Sequence, residues 1–286
     1  MSTQGQSVLF DAPGPRTIRR HRIYSVLTLL VIAGLVAFAV YRLNEKEQFS
    51  ADKWEVFSTP DFVEFILVDG LLETLKMAAG GILGAVALGL VLGLGKLSDH
   101  RVVRWPSWAV VEFFRAVPVL LLMLFFFYLY GIYHGQTGPF WCVVWALSLY
   151  NGAVLAEVFR AGILAVPSGQ AEAAYALGMR KTQVLWIVLL PQAVKIMIPA
   201  IISQMVVTLK DTSLGYAIAA PGLTAVAKPI YQQFFNHVPT FMVIAAIYIL
   251  VNLLLTGLAT FLQRRFVGEK KVLQVSMVGQ ADQTTV

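Results

Sequence analysis

Glu112 and Arg115, and again Glu157 and Arg160, stand three residues apart inside long apolar runs. Residues at that spacing share one face of a helix. A charge near the centre of a membrane helix costs at least about 2.5 kcal/mol on insertion scales, so it faces protein or water rather than lipid. Three kinds of chemistry suit such pairs: a structural ion pair, a proton relay, or a contact to a charged solute. A second polar set closes another apolar run, with Gln204 and Thr208 followed by Lys210, Asp211, Thr212 and Ser213. Gln192 and Ser203 precede it. These residues either line a polar pathway or cap and pair at the end of a helix. Arg160 or Lys210 would suit a substrate carboxylate.

Bond-making chemistry has no comparable candidates. There is no paired-histidine metal motif, no serine elbow and no carboxylate cluster. Gly95-Lys96-Leu97-Ser98 has the wrong upstream glycine spacing for a phosphate loop, and Leu97 occupies the hydroxyl position. The single cysteine, Cys142, lies in an apolar run and reads as a packing residue. His134 is a lone loop histidine, expected to be solvated. The chain is therefore expected to hold no metal and no cofactor of its own and not to be an enzyme.

The elements that carry these residues are membrane spans. Of 286 residues, 58% are hydrophobic and 13% are charged, against about 25% charged in soluble domains. Apolar runs of about 20 residues, long enough to cross a hydrocarbon core, recur at about 23–42, 71–97, 106–130, 139–164, 182–209 and 240–262. Pro106 is expected at the first position of the third, which Arg115 and Pro118 interrupt. The basic residues behind the net charge of +6 lie at span ends. They fit a positive-inside arrangement with both termini cytoplasmic and not nucleic-acid binding. The expected organisation is a disordered tail (1–22), an added N-terminal span (23–42), an acid-rich outer segment (43–70), a transmembrane domain (71–265) and a disordered cytoplasmic tail (266–286). The outer segment, with Trp54, Phe57, Phe62 and Phe65, is either an amphipathic piece at the interface or a solvated connector. Gly81, Ala85, Gly89 and Gly93, four apart, give the second span a flat face for close helix packing. Pro191 and Pro199 are expected to kink the fifth span.

Between the fourth and fifth spans lies SGQAEAAYALGMRKTQ, from Ser168. Ser168 is expected to N-cap a short helix with Glu172 in its first turn, and Gly178 to stop it in a left-handed conformation. Residues 214–238 should include a short helix lying on the bundle.

Glu172-Ala173-Ala174, Gly178 and Leu190-Pro191 resemble the EAA loop of permease subunits of ATP-binding cassette importers. Phe113-Phe114-Arg115 with Pro118, Glu157-Val-Phe-Arg160-Ala-Gly162, Pro167-Ser-Gly169-Gln170 and Lys210-Asp211-Thr212-Ser213-Leu214 are similar to the polar amino acid subfamily, the histidine, glutamine and glutamate permeases. The resemblance covers about residues 65–265 and departs from the pattern at Ala116, where many relatives have glycine. It implies a type I importer permease fold with a coupling helix at about 168–179, whose Gly169, Glu172, Ala173, Ala174, Leu177, Gly178 and Arg180 contact a separate ATPase. It also implies an ATPase dimer carrying ATP and Mg, a second permease subunit (identical or related), an extracytoplasmic amino acid-binding protein and residence in a bacterial cell membrane. The implied substrate is glutamate, then glutamine or another polar amino acid. An ion-coupled secondary transporter, with Glu157, Arg160 or Asp211 as relay, is the alternative; the lack of a visible inverted repeat weighs against it.

Overall fold

The computed structural model describes residues 15–135 and 137–267, and every regular element among them is helical. The expected disordered tails fall largely outside the described residues. Helix α1 spans Pro15–Glu45, so it starts eight residues before the expected span and takes in Arg16 to Arg22. Pro15 fits a first helical turn, where its missing N–H would have no partner anyway. The apolar core of α1 is unburied throughout.

Short helices α2 (Ala51–Glu55) and α3 (Pro60–Phe65) follow, and a widened turn, Ile66–Leu72, leads into α4 (Glu73–Lys96). This segment packs against the rest of the chain rather than standing as a free connector. Val56 and Ile66 are buried in a cluster with Leu223, Val226 and Ile230 of α11 (Leu223–Phe234). Phe62 meets Phe234 edge to face at 5.1 Å, and Asn236 donates from Nδ2 to the Lys53 carbonyl at 2.9 Å.

The expected third span is two helices, α5 (Arg101–Ala116) and α6 (Val119–Leu129). They are bent by 99° at the break. Pro118 disfavours helical backbone at the residue before it, and Val117 is extended at φ −83°, ψ 126°. Pro106 lies inside α5 rather than at its start, because the helix begins at Arg101. Helix α7 (Thr137–Leu164) is the central element, with Asn151, Ala153 and Ala156 fully buried.

The α4–α7 contact carries the bundle. A Cβ on Gly89 would lie 2.8 Å from the Leu155 Cβ, and one on Gly93 would lie 2.8 Å from the Ala156 carbonyl. Only hydrogen at these positions lets the backbones approach this closely, and in lipid such packing is a principal attraction between helices. The small-residue face expected from sequence is thus turned onto α7. Cys142 is fully buried there, with Met123, Val143 and Leu147 in the same cluster.

Helix α8 (Ser168–Ala176) leads to a single turn, α9 (Lys181–Gln183), a widened turn (Val184–Leu189) and α10 (Leu190–Asp211). Pro191 falls in the first turn of α10, directly after the widened turn. The irregular turn accommodates the N–H that proline lacks. The helix continues through Pro199, then tightens over Thr212–Ile218. Helix α12 (His237–Val267) is the last element of the described residues. Among the described residues, five helical stretches are long and apolar enough to cross a membrane, and the bent α5–α6 pair is a sixth candidate.

Candidate functional site

Three local constellations emerge, each built by different elements. The first is α8. Ser168 is its first helical residue rather than its N-cap; Pro167, extended at ψ 132°, takes that place, and its carbonyl accepts from Gln170 N at 3.0 Å. At the other end Gly178 has φ +78°. Its N–H donates to the Tyr175 carbonyl at 2.9 Å, and that of Met179 to Ala174 at 3.2 Å, the paired closure of a left-handed helix stop. Gly169, Glu172, Ala173 and Arg180 are exposed, and Leu177 is 83% exposed. Ala174 is buried, turned into the chain itself. Sequence spacing did not separate it from its exposed neighbours.

Tethers hold α8 to the bundle. Gln192 of α10 donates from Nε2 to Gln170 Oε1 at 3.3 Å, so this residue reaches α8 rather than a central cavity. Arg180 N donates to Gln183 Oε1 at 2.8 Å. Lys181 pairs with Asp99, in the turn between α4 and α5. The Lys181 ammonium holds the Asp99 carboxyl below its ordinary value.

The second constellation is an ion network at the same end. Arg160 Nε donates to Glu157 Oε2 at 3.0 Å, and Arg115 stands 3.5 Å from Glu112. Both expected intrahelical pairs form. What joins them was not read from sequence: Lys96 of α4 donates to Glu157 and, at 3.3 Å, to Glu112. Its side chain is only 7% exposed. In the sequence Lys96 looks like a span-end marker, and nothing in one strand of text brings it across to α5 and α7. With Arg104, Trp105 and Trp108, the side chains of Lys96, Glu112, Glu157 and Arg160 line a cavity of about 500 Å³.

The third lies between α10 and α12. Lys210 and Ser213 line a cavity of about 400 Å³ with Tyr248, Asn252 and Thr256. Arg160 is not brought to this cavity. Thr208 and Thr212 are buried, and each hydroxyl donates to a carbonyl of its own chain segment, Gln204 and Leu209 respectively. Asp211 is half-buried beside them. Gln204 donates from Nε2 to Asn151 Oδ1 of α7. His134, expected to be merely solvated, stacks on the Tyr130 ring at 3.6 Å.

Long apolar helices packed around α7, with a short exposed helix at one end, define the class of helical membrane bundles. The comparisons narrow the class. Residues 85–268 match the family described as the binding-protein-dependent transport system inner membrane component. The glutamate transport system permease protein GluD of Corynebacterium glutamicum is 41% identical over 229 residues, covering 78% of this chain and 83% of that protein. The glutamate/aspartate import permease protein GltK of Escherichia coli is 30% identical over 207 residues, covering 70% and 92%. A solved amino acid ABC transporter with histidines superposes with TM-score 0.64 at 31% identity, covering 72% of this chain and 97% of that one. An inward-facing MetNI methionine ABC transporter gives TM-score 0.62 at 20% identity, covering 71% and 96%, a likeness of fold alone.

The chain belongs to this family, the inner-membrane permease subunits of ABC importers, in its polar amino acid branch. It is a multi-pass membrane protein and is not itself catalytic.

Proposed function

We propose that this chain forms the translocation pathway of an ATP-driven, binding-protein-dependent glutamate importer. The observation that carries the substrate is the 41% identity to a glutamate transport permease over most of both chains. Glutamine or another polar amino acid is the next choice. Both termini lie in the cytoplasm, as do α8 and the Lys96 ion network. Gly169, Glu172, Ala173, Leu177, Gly178 and Arg180 meet a cleft in one of two ATPase subunits, which bind ATP and Mg. Ala174 seats the coupling helix on its own bundle. Support comes from the exposed apolar tip at Leu177 and from the fixed left-handed turn at Gly178. A second permease, identical or related, completes the pathway, and a soluble binding protein delivers substrate from outside.

ATP binding draws the ATPases together and favours the outward-open state; hydrolysis releases it. Each ligand drives the cycle only by preferring one state. Gln192–Gln170 and Lys181–Asp99 are the links through which movement of α8 reaches α10 and the α4–α5 turn. Arg160 and Glu157 lie in the network beside the coupling helix, Gln204 on the inner wall, and Lys210, Asp211, Thr212 and Ser213 toward the outside.

The test is purification in mild detergent, identification of co-eluting subunits, and uptake of labelled glutamate into proteoliposomes with ATP inside. ATP-dependent glutamate uptake, lost in Gly178→Trp, is expected. Uptake that follows an ion gradient and ignores ATP would overturn the reading.

A further inference from the structure

Helix α5 sorts its side chains by face. Val111 is fully buried and packs with Ala153 and Ala156 of α7. Arg104, Trp108 and Glu112 stand four apart, with Trp105 beside them, so they share a different face. Together with Lys96 and Arg160 they line the cavity of about 500 Å³. Lys96 is the last residue of α4, and Arg160 lies about one turn before the end of α7 at Leu164. Two apolar spans finish here, which sets the cavity at the depth where hydrocarbon gives way to lipid headgroups. The indoles agree with that depth. Trp105 and Trp108 are 62% and 48% exposed and meet edge to face at 5.9 Å, and tryptophan collects at membrane–water interfaces.

The charge of the lining is unbalanced. Lys96, Arg104 and Arg160 stand against Glu112 and Glu157, three cations to two carboxylates. Both carboxylates are already engaged. Glu157 holds Lys96 and Arg160, and Glu112 holds Lys96 and Arg115. Asp99, in the neighbouring turn, pairs with Lys181. Among the described residues Arg104 has no carboxylate partner; its one hydrogen bond runs from Nη1 to the Ser98 carbonyl at 3.4 Å. Arg160 donates through Nε to Glu157 and, among the described residues, through neither Nη. A guanidinium carries five donors in a rigid fork that matches phosphate. Two of them line this cavity with most of their donors unused.

We propose that the cavity binds the phosphate headgroup of an anionic membrane lipid. Arg104 and Arg160 receive the phosphate, and Trp105 and Trp108 lie against the glycerol and the upper acyl chains. A free phosphate carries the same anion but gives the exposed indoles nothing to cover. The excess positive charge selects a lipid of net negative charge over a zwitterionic one. That the leaflet is the inner one rests on the permease reading above; the site itself requires no transport.

The experiment is native mass spectrometry of the full chain in mild detergent, titrated with phosphatidylglycerol or with phosphatidylcholine of the same acyl chains. It reads lipid retention without uptake, so failure of this site and failure of the permease reading are separate results. Wild type is expected to retain phosphatidylglycerol about five-fold or more over phosphatidylcholine, the attraction of about one surface cation for an anionic lipid. Arg104→Gln, at an exposed position, is expected to remove that preference, and Trp105→Ala to weaken it. Arg101→Gln takes the same charge from the same helix outside the cavity lining, and salt screening should hold its effect below about two-fold. No preference in the wild type would overturn the proposal, as would equal effects of Arg101→Gln and Arg104→Gln. Displacement of the lipid by an equal concentration of inorganic phosphate would assign the site to a soluble anion instead and refute the lipid.

Discussion

Lys96 is predicted to be coupled much more strongly to Glu157 than to Glu112, although its ammonium touches both. The two arms differ in their solvent. Glu157 keeps 22% of its side-chain exposure and Glu112 keeps 41%, against 7% for Lys96 itself. At 3.3 Å and an effective dielectric of about 20, the gross attraction of one arm is roughly 5 kcal/mol. Desolvation of the buried ammonium removes several kcal/mol of that, and water screens the Glu112 arm further. Double-mutant cycles should then give a coupling of about 2 kcal/mol for Lys96→Met with Glu157→Gln, and below about 1 kcal/mol with Glu112→Gln. Arg160 and Arg115 remain beside the two carboxylates in Lys96→Met, so neither anion is stranded and the single variant should still fold. The assay is equilibrium unfolding of the purified chain in mixed micelles, read by tryptophan fluorescence. Equal couplings, or a larger one for Glu112, would refute the reasoning, because exposure would then not set the order.

Three further outcomes follow from particular contacts. Gly93→Leu should destabilise the bundle by about 1–3 kcal/mol or more, since a Cβ there already lies 2.8 Å from the Ala156 carbonyl; the same unfolding assay reads it. Gly178→Ala should cost about 1–2 kcal/mol at the positive φ and lower ATPase retention on an affinity column, while Leu177→Asp should lower retention without affecting unfolding. The Asp99–Lys181 tie should be insensitive to pH across the neutral range. The folded Asp99 pKa is depressed, so the pair is present above the ordinary carboxylate value and is lost only as pH falls through the lower, folded one. Uptake followed against pH checks this, and a midpoint near neutrality would assign the titration elsewhere.

What was legible in the sequence was whatever one helix face carries by itself. The Gly81–Gly93 ridge, the Glu157–Arg160 spacing and the Gly178 stop each depend on residues within a few turns, and each stands where periodicity and backbone preference put it. The break at Val117–Pro118 was legible as an interruption, but its 99° bend was not. Proline disfavours helical backbone before it without choosing the direction of the chain after it.

What was not legible depends on two elements meeting. Lys96 has the same composition signature whether it snorkels to water or turns inward, and 61 residues separate it from Glu157. Asn252 is the sharper case. A lone asparagine in an apolar span satisfies half of its amide on its own helix, and periodicity treats it as a tolerated exception. Its neighbours around the cavity, Lys210 of α10 and Ser213 of the turn that follows α10, come from another stretch of the chain. In a transporter of this kind the residues that touch substrate are expected on facing helices and not within one motif, because a pathway must be lined on more than one side. Motif reading finds the Ser168–Gly178 stretch, which is continuous in sequence. It misses half of any site assembled across a bundle, and the missing half is best sought among buried polar atoms that the chain itself leaves unpaired.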